Sequence, residues 1–278
     1  MRGTDTGSRR DRMGSRSERG WAPARADGGP PERGALADGE TPAAAGRPLR
    51  RADLETNALR RALEASPLAG ELLSEAELER SLQEALASPL RLPDVWLFAY
   101  GSLIWNPVLE FDERFVVTAH GWHRGFCLAS RVNRGTPERP GLVLGLDRGG
   151  RCTGVAYRIP ARIAEAELRL LWRREMLLGS YAPRWVLVTH GARSFRALAF
   201  VVRRERSGYA GRLAAETIVE RLIHARGAIG SGVDYLRQTI DGLAAIGIRD
   251  PNLIHLDGLI RARLGEEEPH RPRADLQL

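Results

Sequence analysis

The stretch 95-VWLFAYGSLIWNP-107 decides how the chain is read. A short apolar run rich in aromatics and closed by Gly-Ser describes a buried strand that stops at a turn. Gly101 can take backbone conformations closed to other residues, and such a turn lines successive N–H groups into an anion-binding nest. An ordinary strand-to-loop turn capped by Ser102 has the same sequence, so the turn alone leaves both readings open. Working outward, strand-like segments follow at 115-FVVTAH-120, 125-GFCLAS-130, 142-LVLGL-146 and 153-TGVAYRI-159, separated by glycines and prolines. Two more, 184-RWVLVTH-190 and 195-FRALAFVV-202, precede a helical final third with expected helices at Leu213–Arg226, Val233–Ile246 and Asn252–Leu264. Strands close together in sequence, one inserted helix and a helical appendage predict an α+β fold: a small mixed β-barrel with helices packed outside it. The βαβαβ alternation of a doubly wound sheet is absent.

The inserted helix is 162-RIAEAELRLLWRREMLLG-179. Ala164, Leu168, Leu171, Glu175 and Leu178 fall at i, i+4, i+7, i+11 and i+14, one face at a 3.6-residue period. The other charges (Glu165, Glu167, Arg169, Arg173, Arg174) are expected to point elsewhere. A carboxylate among Leu side chains loses solvation, so the pKa of Glu175 should rise toward neutrality, where it can accept and return protons. A buried Glu paired with an Arg for structural reasons gives the same pattern.

The chain of 278 residues is 43% apolar, enough for one good-sized domain with additions. Its net charge of +7 comes from 42 basic residues, all of them Arg, scattered among 35 acids. With no recognition motif beside it, that charge does not predict nucleic-acid binding. The two cysteines, Cys127 and Cys152, form no C-x-x-C pair, and the six histidines form no cluster at ligand spacing, so no metal is expected. No apolar run reaches 18 residues and the N-terminus lacks a signal-peptide core, which predicts a soluble cytoplasmic protein away from membranes. Residues 1–51, rich in Arg, Gly, Pro and Ala, cannot bury enough surface to order themselves and are expected to form a disordered tail. Met13 offers a later start. Residues 52–93 carry Leu54, Leu59, Leu63, Leu72, Leu73, Leu78, Leu82 and Leu86 at roughly helical spacing, broken at Ser66-Pro67. They predict two helices, either packed on the main domain or forming a partner-binding hairpin. The main domain is placed at 94–264, followed by a charged tail, 265–278.

The order of segments is more specific than any one of them. The sequence 98-FAYGSLIWNP-107 is followed by 121-GWHRGFCLAS-130, 134-RGTPERPG-141, 154-GVAYRIP-160, 171-LWRREMLLGSY-181, 228-AIGSGVDYL-236 and 247-GIRDPNLIHL-256. From about Val95 to Leu264 this series resembles the ChaC family of γ-glutamylcyclotransferases. The resemblance implies the γ-glutamylcyclotransferase-like barrel and cleavage of glutathione, the small-molecule substrate, into 5-oxoproline and Cys-Gly without metal or cofactor. It implies a monomer. It places Tyr100, Gly101 and Ser102 around the γ-glutamyl group, with Phe98, Ala99 and Leu103 beside them, and puts the catalytic glutamate of the family's Arg-Glu motif at Glu175. Tyr181 is either a pocket wall or a core tyrosine. Arg131-Val132-Asn133 stands where many relatives have a His before Arg-Gly, and the long N-terminal extension also departs from the pattern. The substrate carries its own nucleophile, its α-amine, so Ser102 is not needed as one. Two alternatives share these residues: a cyclotransferase for other γ-glutamyl amines or dipeptides, and a non-catalytic barrel that only binds.

Overall fold

The computed structural model describes residues 48–88 and 94–266. The expectations for residues 1–47, 89–93 and 267–278 lie outside them. Five strands form a closed barrel: β1 (Val95–Ala99), β2 (Glu113–Ser130), β3 (Gly141–Ile159), β4 (Tyr181–His190) and β5 (Arg193–Val202), in the order β1-β3-β2-β4-β5. Sequential neighbours pair antiparallel, while β5 closes the ring by parallel pairings, Leu97 opposite Leu198 and Leu146 opposite Val201. The expected small mixed barrel is what forms. Four of the expected strand segments are, however, halves of two long strands. Gly121 at φ +80° faces Gly149 and Gly150 at +104° and +70°, where the register shifts. These glycines bend the β2–β3 hairpin without ending it, because only they accept left-handed backbone there.

Alternate side chains of the strands serve two cores. Phe98, Val117, Ala119, Cys152, Ala156, Val188 and Ala197 cluster together, all supplied by the strands. The opposite faces, with Leu97, Ala99, Leu144, Val155 and Tyr157, meet the helices in a second cluster. Helix α5 (Ala161–Glu175) crosses from β3 to β4, with Pro160 as its N-cap at φ −65°. It ends at Glu175, so Leu178, expected on its stripe, lies in the following turn that Gly179 closes at φ +60°. Ala164, Leu168 and Leu171 are buried as expected. Glu167 is also buried, at 3% exposure, contrary to its expected outward position. It lies at i+3 from Ala164 and i−4 from Leu171, on the edge of the same face.

Four more helices follow the strands, two of them with side-chain caps. Helix α4 (Ser102–Trp105) follows β1 directly, and α6 (Ala215–His224) leads into a short hairpin, β6 (Arg226–Gly227) with β7 (Gly230–Ser231). Helix α7 (Gly232–Ala244) starts with a Ser231/Asp234 capping box. Asp250 caps α8 (Pro251–Leu264), which has Pro at its first position.

The segment before the barrel packs on it. It holds α1 (Arg51–Glu55), α2 (Ala58–Glu64), a 3₁₀ turn at Ala69–Glu71 and α3 (Glu75–Leu86). Besides the expected break near Pro67, Asn57 at φ 55° separates α1 from α2, a conformation Asn tolerates better than most residues. Leu63, Leu68, Leu78 and Leu82 share the barrel's outer core. Polar ties flank them: Leu73 N–H donates to the Leu177 carbonyl at 2.8 Å, Arg131 holds Glu71 through two bonds of 2.6 Å, and Trp185 Nε1 donates to the Ala85 carbonyl. Arg51 grips Glu167 through two bonds of 2.7 and 2.8 Å, and Glu110 N–H donates to the same carboxylate. The described part of this segment, residues 52–88, packs on the barrel. Among the described residues no helix is long and apolar enough to cross a membrane, and no three His, Cys, Asp or Glu side chains gather as a metal site.

Candidate active site

Where β1 gives way to α4, Tyr100 and Ser102 of the Tyr-Gly-Ser turn and the residues just after it are held from several elements. Arg124 of β2 donates from Nη1 to the Tyr100 carbonyl at 2.8 Å and from Nη2 to the Thr153 carbonyl, and its Nε pairs with Asp250 at 2.9 Å. The Tyr100 hydroxyl donates to the Phe200 carbonyl of β5 at 2.7 Å. The Tyr157 hydroxyl of β3 lies 3.2 Å from the carbonyls of both Leu103 and Ile104. Gly101 sits at φ −141°, so the backbone angle does not demand glycine there. Space there is tight: a Cβ at this position would stand 3.2 Å from the Tyr235 hydroxyl, which itself accepts from Leu144 N–H.

Arg174 joins this turn to the glutamate. From the last turn of α5 its Nη2 donates to Ser102 Oγ at 2.9 Å and its Nη1 to the Asn106 carbonyl at 2.6 Å. Its Nε lies 2.9 Å from Glu175 Oε1. The Glu175 side chain is 15% exposed. Burial pushes its carboxyl above the ordinary carboxylate value, while Arg174 beside it pulls the other way. Its position as the last residue of α5 adds to the upward push, since the helix C-terminus carries partial negative charge.

Ser102, Arg174, Glu175 and Tyr181 all line one cavity of about 180 Å³. Tyr181 is thus a wall residue, its hydroxyl donating to the Leu144 carbonyl at 3.2 Å. Tyr100 and Gly101 stand behind the wall. Phe98, Ala99 and Leu103 are core side chains: Phe98 lies inside the barrel, and Ala99 and Leu103 lie in the outer core. Burial holds the Tyr100 and Tyr181 hydroxyls well above the usual phenol value and puts Tyr235 at about 12, so all three keep their protons at neutral pH.

The rest of the lining was given no role in the sequence analysis. Pro48 and Leu49, before α1, close one side with Leu59 and Leu63 of α2. Asn106 Nδ2 fixes this strap by donating to the Leu49 carbonyl at 2.9 Å. Arg134 and Tyr235 line another side. Arg134 stood in a quoted motif without a role, and neither periodicity nor spacing marks an arginine in a loop.

Residues 95–263 match the family model described as ChaC-like protein. The chain belongs to the ChaC-like family. It is 39% identical over 199 residues to the glutathione-specific γ-glutamylcyclotransferase of Escherichia coli K12, an alignment covering 71% of this chain and 86% of that protein. That share is more than residues 95–278 alone supply, so the likeness reaches back into the segment before Val95. The mouse glutathione-specific γ-glutamylcyclotransferase 1 is 30% identical over 173 residues, 60% of this chain and 77% of that one. Among solved structures, the yeast γ-glutamyl cyclotransferase specific to glutathione superposes with a TM-score of 0.57 at 21% identity, over 62% of this chain and 97% of that one. The ChaC-like domain therefore has the γ-glutamylcyclotransferase-like fold.

Proposed function

We propose that this protein cleaves glutathione by cyclising its γ-glutamyl group, releasing 5-oxoproline and Cys-Gly, with Glu175 moving the protons. The observation that carries this reading is a single carboxylate of raised pKa in the wall of a cavity, tied through Arg174 to the Tyr-Gly-Ser turn. Among the described residues that line the cavity, no His or Cys offers a competing nucleophile or base.

In the cyclisation, Glu175 takes a proton from the substrate's α-ammonium. The freed amine attacks the γ-carbonyl carbon and closes a five-membered ring. As the tetrahedral species collapses, the protonated Glu175 delivers its proton to the cysteinyl nitrogen and the C–N bond breaks. Two protons leave the α-nitrogen in all and both end on the departing amine, so no proton is consumed. Holding the chain folded on itself makes the attack intramolecular, worth effective molarities on the order of 10⁵ M or more for well-oriented groups. The acid–base transfers add on the order of 10²- to 10⁴-fold. The turn at Tyr100-Gly101-Ser102, locked by Arg124 and Arg174, presents Ser102 to the γ-glutamyl end. Glutathione sets the thiol poise of the cytosol, which makes the cytoplasm the place of action, and a cavity closed by the chain's own strap suits a monomer.

The test is incubation of purified protein with glutathione and, separately, with γ-Glu-Ala, following 5-oxoproline by mass spectrometry. Equimolar 5-oxoproline and Cys-Gly from glutathione, with little from γ-Glu-Ala, is the expected result. Turnover of γ-Glu-Ala alone would make the enzyme a cyclotransferase for other γ-glutamyl compounds, and no turnover of either by folded protein would overturn the reading.

A further inference from the structure

The loop between β2 and β3 carries a guanidinium with too few partners. Arg134 is 3% exposed and lines the cavity. Its Nη1 donates to the Ser231 carbonyl at 3.2 Å and its Nη2 to Gln238 Oε1 at 3.4 Å, both neutral acceptors at long range. Its Nε is buried without a hydrogen-bond partner. Among the described residues no carboxylate, Glu175 included, comes within the 4.0 Å of an ion pair. The nearby Asp234 is already taken up by Ser231, accepting from its Oγ at 2.6 Å and its N–H at 3.2 Å. A buried charge left this way is costly unless something else neutralises it. Arg131 and Arg174, which share the cavity wall, each have a carboxylate, Glu71 and Glu175.

Arg134 is also rigidly placed. Its N–H donates to Ser130 Oγ at 2.9 Å, and the carbonyls before it, Val132 and Asn133, accept from Ala228 and Ile229 of the β6–β7 hairpin. Its guanidinium lies 5.4 Å from the centre of the Tyr235 ring, whose hydroxyl abuts Gly101. Tyr235 thus stands with one end at the Tyr-Gly-Ser turn and its face under Arg134. A planar fork fixed over an aromatic ring, with donors to spare, is a carboxylate receptor.

We propose that Arg134 binds the C-terminal carboxylate of the substrate's leaving group, the glycyl carboxylate of the tripeptide, and so selects γ-glutamyl peptides that end there. This rests on the function proposed above. The substrate's other carboxylate shares a carbon with the α-amine, which must meet Glu175. The glycyl carboxylate lies at the opposite end of the molecule, and Arg134 is the arginine of the cavity wall that forms no ion pair among the described residues, Glu175 being held by Arg174 and Glu71 by Arg131.

Glutathione and its glycyl ethyl ester are alike at the γ-glutamyl end and at the bond broken, and differ in the charge Arg134 would bind. For wild type, kcat/KM should favour the free acid on the order of 10- to 100-fold, as for a hydrogen bond to a charged group. In Arg134→Gln that ratio should fall toward one, the loss appearing in the KM for glutathione, and Arg134→Lys should restore part of it. A wild type that does not distinguish acid from ester overturns the assignment without any variant. Equal losses on both compounds in Arg134→Gln overturn it as well, by making Arg134 a structural tie or the holder of the other carboxylate. If wild type turns over neither compound, the proposed function fails and the assignment falls with it.

Discussion

Replacing Arg51 with Ala tests whether the N-terminal strap is held by charge. Arg51 is 35% exposed at its side chain, while its partner Glu167 is 3% exposed and keeps only the Glu110 N–H once the guanidinium is gone. Exposed pairs are worth about 0–1 kcal/mol, and removing one partner of a fully buried pair costs about 3–5 kcal/mol. A half-exposed arginine on a buried glutamate falls between them, at about 2 kcal/mol. For a domain of this size that lowers Tm by roughly 4–8 °C. The sharper expectation concerns sign. Glu167→Gln added to Arg51→Ala should recover part of the loss, because an amide is less costly to leave buried than a carboxylate. Thermal melts of the two single variants and the double variant decide it. A double variant no more stable than Arg51→Ala, or an Arg51→Ala variant within about 0.5 kcal/mol of wild type, would refute the reasoning. Pro48 and Leu49 line the cavity beside Arg51, so Arg51→Ala should also raise the KM for glutathione.

Two further outcomes follow from the site. Ser102→Ala removes the acceptor of Arg174 Nη2 at 2.9 Å and should lower kcat/KM by at most about 100-fold, the worth of one hydrogen bond to a charged group; loss of all activity, or a trapped acyl-enzyme on wild type, would make Ser102 a nucleophile instead. The pKa of Glu175 is raised on folding, so between its unfolded and folded values the native state holds the extra proton, and stability falls as pH rises through that window. Glu175→Gln has no such deficit: its Tm should match wild type below about pH 4, near the unfolded glutamate value, and exceed it at neutral pH.

The barrel was legible because its strands announce themselves by apolar runs and its one crossover helix by a 3.6 period. Where the reading went astray, tertiary packing had overridden a local signal. Gly121, Gly149 and Gly150 look like strand ends but are bends, because two strands that stay paired on both sides carry the chain through them. Glu167 carries the charge of a surface residue at the spacing of a core one, and its partner Arg51 lies 116 residues earlier in the chain. Glu175 was legible because its charge interrupts an otherwise apolar stripe. Its surroundings were not: Arg174 reaches Ser102 and Asn106 across 72 and 68 residues. The strap across the cavity was hidden for the same reason, since Leu59 and Leu63 have the spacing of any amphipathic helix and nothing local says which surface they cover.

The most direct test of Glu175 as the proton carrier is single-turnover cyclisation of glutathione by Glu175→Gln, with 5-oxoproline followed by mass spectrometry and folding checked by circular dichroism. Glutamine fills the same space and accepts from Arg174, but it cannot take the α-ammonium proton, so a folded variant that binds glutathione and forms 5-oxoproline at least 10²-fold more slowly is expected. Cyclisation at the wild-type rate would place the base elsewhere and leave Glu175 a structural partner of Arg174.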